Sequence, residues 1–280
     1  MIQLVDSGAV RQWCEARRAE GQRIGFVPTM GALHAGHLSL MRIAAQHADA
    51  LVVSIFVNPL QFGPSEDLAR YPRDLPGDGA KCAEAGVALL YCPTAEQLYP
   101  PGFQTRVEVA SLARGLCGER RPGHFSGVCT VVAKLLNVVG PCVAVFGAKD
   151  YQQLQVIRRM VVDLDQPVQI VSGPIVREAD GVAMSSRNAH LTAAERQQAP
   201  CLHAALQQAR ALVAAGERDP ERVLASARAA IERAPLARLD YLELRDAQTL
   251  APLTELLPGG TLLALAVYFG ATRLIDNAVL

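Results

Sequence analysis

The sequence has no excess of either charge. Lys plus Arg total 27 and Asp plus Glu total 27 over 280 residues. A protein that grips a polynucleotide backbone carries a basic surplus, so the balance argues against nucleic acid partners. A small anionic ligand, needing only a few local cations, remains compatible. No C-x-x-C pair occurs among the seven cysteines, Cys14, Cys82, Cys92, Cys117, Cys129, Cys142 and Cys201. That odd number without paired spacing speaks against a disulfide framework or zinc knuckle and for reduced thiols in the cytoplasm. The N-terminus, Met1-Ile2-Gln3-Leu4-Val5-Asp6, lacks the basic-then-apolar order of a signal peptide. The uncharged run Leu256 to Thr272 is short and broken by Pro258-Gly259-Gly260, which predicts a soluble protein without a membrane partner. Neither an internal repeat nor a low-complexity tract is present.

What the chain does have is an alternating texture. Half its residues are apolar, and its length suits two domains better than one. Ile24–Val27, Leu51–Val57, Val87–Tyr91, Cys142–Phe146 and Val168–Val171 are continuous apolar runs, as in strands covered on both faces. Helix-like segments fall between them: Leu38–Ala48, with Met41, Ala44, Ala45 and Ala48 on one face, then Val128–Val139 and Tyr151–Val162. The pattern predicts an α/β fold, a Rossmann-like domain with a mostly parallel sheet over residues 1–175. After a hinge near Gly173-Pro174-Ile175-Val176, alanine-rich helices over Thr192–Ala214 and Pro220–Ala234 precede strands at Leu239–Leu244 and Thr261–Phe269. These predict a smaller α+β domain over 176–280.

Five blocks carry candidate chemistry. The first, Pro28-Thr29-Met30-Gly31-Ala32-Leu33-His34-Ala35-Gly36-His37, joins a strand end to a helix start, where open α/β sheets bind ligands and helix N–H groups favour phosphate. Its Gly-x4-Gly spacing resembles a Walker A loop, but His37-Leu38 stands where that loop needs Lys and Ser or Thr. His34 and His37 can donate to phosphate and stabilise charge on a departing pyrophosphate. With no third ligand nearby, a metal site is the weaker reading. In the second block, Asn58 and Gln61 follow a buried strand, and their amides suit a ligand bearing hydroxyl and carboxylate groups. The third, Arg120-Arg121-Pro122-Gly123-His124, can clamp an anion or form a solvated turn. The fourth, Gly147-Ala148-Lys149-Asp150, is another strand–helix corner, with Lys149 suited to phosphate, Asp150 to a cap or a ribose, and Gln153 one turn on. The fifth, Met184-Ser185-Ser186-Arg187, offers two hydroxyls and a guanidinium to a triphosphate.

His34-Ala35-Gly36-His37 resembles the H-x-G-H signature of the nucleotidyltransferase superfamily, and the five blocks in order resemble the pantothenate synthetase family over nearly the whole chain. The resemblance implies an ATP-dependent ligase that condenses pantoate with β-alanine through a pantoyl adenylate, releasing AMP and pyrophosphate. It assigns catalysis to His34, His37, Lys149 and Arg187. ATP falls to Met30, Gly31, Ala32, Leu33, His34, Ala35, Gly36 and His37, to Gly147, Ala148, Lys149 and Asp150, and to Val176, Met184, Ser185, Ser186 and Arg187. Gln61, Gln153, Asn58, Tyr71, Arg121 and His124 are assigned to pantoate and β-alanine. It further implies a homodimer. Mg2+ is expected to arrive held mainly by the phosphates rather than by side chains. The position of Met184–Arg187 just past the hinge suggests a smaller domain that closes over ATP, and the tail Gly270–Asn277, which resembles the family's ending, is assigned a structural role. Ala148 stands where the family usually has Glu, Cys117 where an acidic residue is common, and Asp78 alone where relatives can carry an acidic pair. Two rival readings follow: a nucleotidyltransferase with another acceptor, and a silent ATP-binding module.

Overall fold

The computed structural model describes residues 1–64, 66 and 68–280; Ser65 and Asp67 lie outside the described residues. The chain forms two compact units, one of residues 1–148 with 153–174, the other of 149–152 with 175–280. The first contains β1 (Ile2–Leu4), α1 (Ser7–Ala19), β2 (Ile24–Thr29), α2 (Ala35–His47), β3 (Ala50–Ile55), α3 (Leu75–Glu84), β4 (Leu89–Tyr91), α4 (Ala95–Leu98), α5 (Leu116–Arg120), α6 (His124–Val139), β5 (Cys142–Gly147), α7 (Tyr151–Asp163) and β6 (Val168–Gly173). Residues 151–152 at the head of α7 belong to the second unit.

The six strands form one parallel sheet in the order β1-β4-β3-β2-β5-β6. Val27, Val53, Leu90 and Val145 pack with Leu40, Met41 and Ala44 of α2 and with Cys82 of α3. Phe26, Val52, Leu89 and Ala144, equally buried, are the neighbouring residues along each strand and face the other side. Burial on both faces explains the unbroken apolar runs. The α2 face is Leu40, Met41 and Ala44; Ala45, expected on it, is exposed. α2 approaches β2 closely, because a Cβ on Gly25 would lie 2.9 Å from the Ala48 Cβ. α6 is buried around almost its whole circumference, consistent with its lack of a polar face.

The second unit contains α8 (Ala193–Gln198), α9 (Cys201–Ala214), α10 (Pro220–Glu232), β7 (Ala237–Asp246), β8 (Thr261–Phe269) and β9 (Thr272–Val279). The helix expected over 192–214 is two helices, because Pro200 lacks the N–H that would continue the first. Thr192 and Glu195 form a capping box that starts α8. The strands make an antiparallel sheet, β7-β8-β9. Leu263, Leu265 and Val267 of β8 bury against Leu202, Leu206 and Ala209 of α9 and Val223, Ala227 and Ile231 of α10. Among the described residues no helix is long and apolar enough to cross a membrane.

Candidate active site

The sheet order reverses between β2 and β5. β2 is followed in space by β3, β5 by β6, and β2 and β5 are neighbours. The first and fourth sequence blocks leave the carboxyl ends of these two central strands, the crevice where such sheets take ligands.

After β2 the chain turns through two successive left-handed residues, Gly31 at φ 83° and Ala32 at φ 50°. The turn is held from inside. Thr29 Oγ1 donates to Ser54 O at 2.8 Å and accepts from Gly31 N at 3.2 Å. The buried Asp78 carboxylate of α3 accepts from Ala32 N and from Leu33 N, each at 2.7 Å. Lys81, one turn on, donates to Leu33 O at 2.9 Å and stands 3.7 Å from Asp78. The amides of Ala32 and Leu33 are thereby occupied by a protein carboxylate. In the sequence Asp78 is visible only as a lone acid.

The helix start is built by the two histidines. Gly36 N donates to His34 Nδ1 at 3.1 Å and His34 N donates to His37 Nδ1 at 3.3 Å, a reciprocal cap with ring centroids 4.2 Å apart. A neutral imidazole whose Nδ1 accepts carries its hydrogen on Nε2. The backbone therefore selects the tautomer, and both rings are Nε2–H donors. Met30 and Gly36 lie in the same segment; Met30 Sδ accepts from Gln61 Nε2 at 3.2 Å.

Beyond β3, Asn58 caps a short 3-10 turn, Pro59–Gln61. Asn58 Oδ1 accepts from Leu60 N at 3.2 Å and from Tyr99 OH at 2.8 Å. Its Nδ2 donates to Gln61 Oε1 at 3.0 Å and to Gly127 O at 3.1 Å. Every donor and acceptor of the Asn58 side chain is thereby used, and its Nδ2 supports Gln61. Because Leu60 N fixes Oδ1, the amide orientation of Asn58 is set, and with it that of Gln61. Gln61 turns its oxygen toward Asn58 and presents its NH2, which donates to the Met30 sulfur, a weak acceptor.

Arg121 and His124 are also engaged by the protein. Arg121 grips Glu66 with two bonds, Nε to Oε1 at 2.8 Å and Nη2 to Oε2 at 2.5 Å. Its Nη1 meets His124 Nε2 at 3.1 Å, and His124 Nδ1 meets Gln61 O at 2.9 Å. A guanidinium only donates and a carbonyl only accepts, so His124 carries its hydrogen on Nδ1. Burial raises the Glu66 carboxyl, but the Arg121 bonds and charge outweigh it and hold the acid below its ordinary value. Glu66 carries no signal in the sequence. Tyr71 is buried edge-on to Phe62 at 5.9 Å. Arg120 is largely exposed beside Glu119, and Cys117 is buried in α5.

At the end of β5, Gly147 leads into a 3-10 turn, Ala148–Asp150. Gly147, Ala148 and Lys149 are half-buried, Asp150 is exposed, and Gln153 is half-buried on α7. Lys149 O accepts from Asn277 Nδ2 at 2.9 Å, and Tyr151 OH donates to Ala247 O at 2.9 Å. In the second unit, Val176 O accepts from Met184 N at 2.9 Å, closing a hairpin. Arg177 of this hairpin pairs with both oxygens of Asp276 at 2.6 and 2.9 Å. Ser185 Oγ accepts from Arg187 N at 3.2 Å and caps the turn Ser186–His190, where Ser186 and Arg187 are half-buried. Arg196 binds Glu178 at 2.7 Å and Asp180 at 2.6 Å, and Asn188 binds Glu178 at 2.7 Å, bracing the segment. The Arg196 bond holds the Asp180 carboxyl below its ordinary range. The tail Gly270–Asn277 thus supplies Asp276 and Asn277 as ties. Among the described residues no group of three His, Cys, Asp or Glu side chains could hold a metal ion.

Against this geometry the similarities to known proteins are consistent. The chain matches the pantoate-beta-alanine ligase family over residues 3–279. It is 55% identical to a pantothenate synthetase of Trichlorobacter lovleyi, over 94% of this chain and 93% of that one. It is 54% identical to one of Myxococcus xanthus, over 96% and 92%. A solved pantothenate synthetase of Thermus thermophilus superposes with a TM-score of 0.95 at 46% identity, covering 100% of this chain and 99% of the other. A pantoate-beta-alanine ligase of Francisella tularensis, complexed with beta-gamma ATP and beta-alanine, gives 0.79 at 35% identity, covering 100% and 97%. On its fold, its ordered blocks and these matches, the chain belongs to the pantoate-beta-alanine ligase family.

Proposed function

We propose that the protein condenses pantoate with β-alanine in two steps driven by ATP. A pantoate carboxylate oxygen attacks the α-phosphorus, and pyrophosphate leaves to give pantoyl adenylate. The β-alanine amine, unprotonated, then attacks the acyl carbon, and AMP departs as pantothenate forms. A carboxylate is a poor electrophile and AMP a good leaving group, so activation is what the nucleotide contributes. The protein's task is positioning and charge stabilisation rather than covalent catalysis.

The observation that carries this reading is the reciprocal histidine cap, which makes His34 and His37 paired Nε2–H donors at the end of a central strand. In this reading they stabilise charge as it moves onto pyrophosphate. Lys149, Ser185, Ser186 and Arg187 hold the phosphate oxygens; a hydroxyl that accepts, like that of Ser185, can still donate its own hydrogen. Gln61 presents its NH2 to the pantoate oxygens, with Gln153 as a second amide. Tyr71, Arg121 and His124 shape the acid's surroundings. Val176, Met184, Gly147, Ala148 and Asp150 flank the nucleotide. With Asp78 occupied by two amides and no acidic cage among the described residues, Mg2+ belongs to the reading as the counter-ion of ATP, held by the phosphates. A cytoplasmic homodimer fits the family pattern, and light scattering of the purified protein would check the dimer.

Pantoate-dependent exchange of labelled pyrophosphate into ATP without β-alanine tests the adenylate step. Exchange is expected, with His37→Ala losing it. Absence of exchange in folded protein would sink the two-step route. Release of pyrophosphate without AMP on adding β-alanine would favour a nucleotidyltransferase with another acceptor. ATP binding with no turnover would favour a silent module.

A further inference from the structure

β9 carries two adjacent buried polar side chains, Asp276 at 3% and Asn277 at 6% exposure. Neighbouring residues of a strand point to opposite faces, and each of these two engages a different segment. Asp276 accepts the Arg177 guanidinium at the base of the hairpin leading to Met184–Arg187. Asn277 Nδ2 donates to the Lys149 carbonyl at 2.9 Å. Lys149 follows closely on β5 in the chain, and residues 149–152 group with the C-terminal unit.

We propose that Asn277 is a positioning residue for Lys149. The inference rests on the reading of Lys149 as a phosphate-handling group. Lys149 sits in a single 3-10 turn, Ala148–Asp150, whose hydrogen-bond geometry is poorer than that of an α-helix. Lysine carries its charge on a flexible four-carbon stem, so the direction of its Cα–Cβ bond decides what the ammonium can reach. Asn277 ties the Lys149 peptide to a rigid element, since β9 is paired with β8 along its length and Asn277 sits opposite Ala264. Because Asp276 orders the hairpin from the same point, one short stretch of strand sets both the lysine and the segment bearing Ser185, Ser186 and Arg187.

The test is a double-mutant cycle. Asn277→Asp keeps the acceptor oxygen and removes the donor; Asn277→Leu keeps the size and carries the test if the charged variant misfolds. Each is made in the native and Lys149→Ala backgrounds. AMP release is measured with ATP, pantoate and β-alanine, giving kcat and the KM of each substrate, alongside a thermal melt. In the native background kcat should fall about 10- to 100-fold, the scale of a misplacement near 1 Å, with the pantoate KM unchanged. In the Lys149→Ala background the same substitutions should change the rate by less than about twofold, because a residue acting through another has nothing left to act on. Native rates in the Asn277 variants, or equal fold losses in both backgrounds, would overturn the inference while leaving Lys149 its role. A fully active Lys149→Ala protein would instead remove the role of Lys149 itself, and the inference with it.

Discussion

Asp78 is where one substitution tests most of the reasoning about the first unit. Its carboxylate is 1% exposed and accepts the Ala32 and Leu33 amides at 2.7 Å each. Hydrogen bonds to a charged partner contribute about 1.5–3 kcal/mol each. Asp78→Asn retains one acceptor oxygen but turns an NH2 toward the second amide, leaving a buried donor unmet, at a cost of about 2–3 kcal/mol. Asp78→Ala loses both bonds and should cost about 3–5 kcal/mol, less whatever water recovers. The loop has a reason to move once released, since left-handed Ala32 is strained by about 1–2 kcal/mol. Movement there carries His34 and His37 with it, and about 1 Å of misplacement can cost about 100-fold in rate. Urea unfolding and steady-state turnover of both variants are the assays. The expected order of stability is native, then Asn, then Ala, with kcat lowered in both variants. An Asp78→Asn protein within about 0.5 kcal/mol of native stability, with native kcat, would refute the assignment of Asp78 as the anchor of the loop.

Two further substitutions probe the Gln61 side. A Cβ on Gly127 would fall 2.2 Å from Leu60 O and 2.6 Å from Gln61 N, both backbone atoms, so Gly127→Ala must push the Asn58–Gln61 turn off α6. Stability should fall by about 1–3 kcal/mol, as for overpacking, and the pantoate KM should rise; an unchanged KM would show that the turn does not shape the acid site. Glu66→Gln removes the charge facing Arg121. The Glu66 acid is held below its ordinary value of 4.5, so the ion pair stabilises the fold above that pH and is lost as pH falls through the depressed folded value. For a pair with side chains 17% and 23% exposed, the variant should be less stable by about 1–2 kcal/mol at pH 7. The gap should close in acid, and a gap constant down to about pH 3 would contradict the assignment.

The central strands, the strand–helix corners and the histidine pair are legible in the sequence, because they write themselves as apolar runs and as residue types at short spacing. The apolar run Thr261–Phe269 coincides with β8 to its ends. What the sequence hides has physical reasons. α1 buries only Val10 and Cys14, a stripe too sparse to announce a helix. α3 contains Pro76, Gly77 and Gly79, which discourage a helix, yet Pro76 sits in the first turn and the Asp74 side chain caps Gly77 N at 3.0 Å. Asp78 works on backbone amides 45 and 46 residues away, and backbone atoms leave no side-chain signature at the far end. Glu66 and Arg121, 55 residues apart, are equally silent until folded. Asn58 and Gln61 are recognisable as polar residues at a crevice, but only the Leu60 amide and Gly127 carbonyl divide them into a support and a presenter.

Under the role proposed for Gln61, that division bears on how readily the acid specificity could be changed. Gln61 takes its orientation from Asn58, and Asn58 takes its own from Leu60, Gly127 and Tyr99. Burial pushes the Tyr99 phenol well above its ordinary range, so it remains a donor to Asn58 throughout the pH range of any assay. In that proposed role, discrimination would come from rigidity: a misfitting acid would find no slack in the Gln61 amide. Attempts to admit bulkier hydroxy acids by altering Gln61 alone would leave its mount in place. A library that varies residues 58, 61 and 99 together is the one able to redraw the contour, and within it tolerated changes should come as matched sets rather than singly.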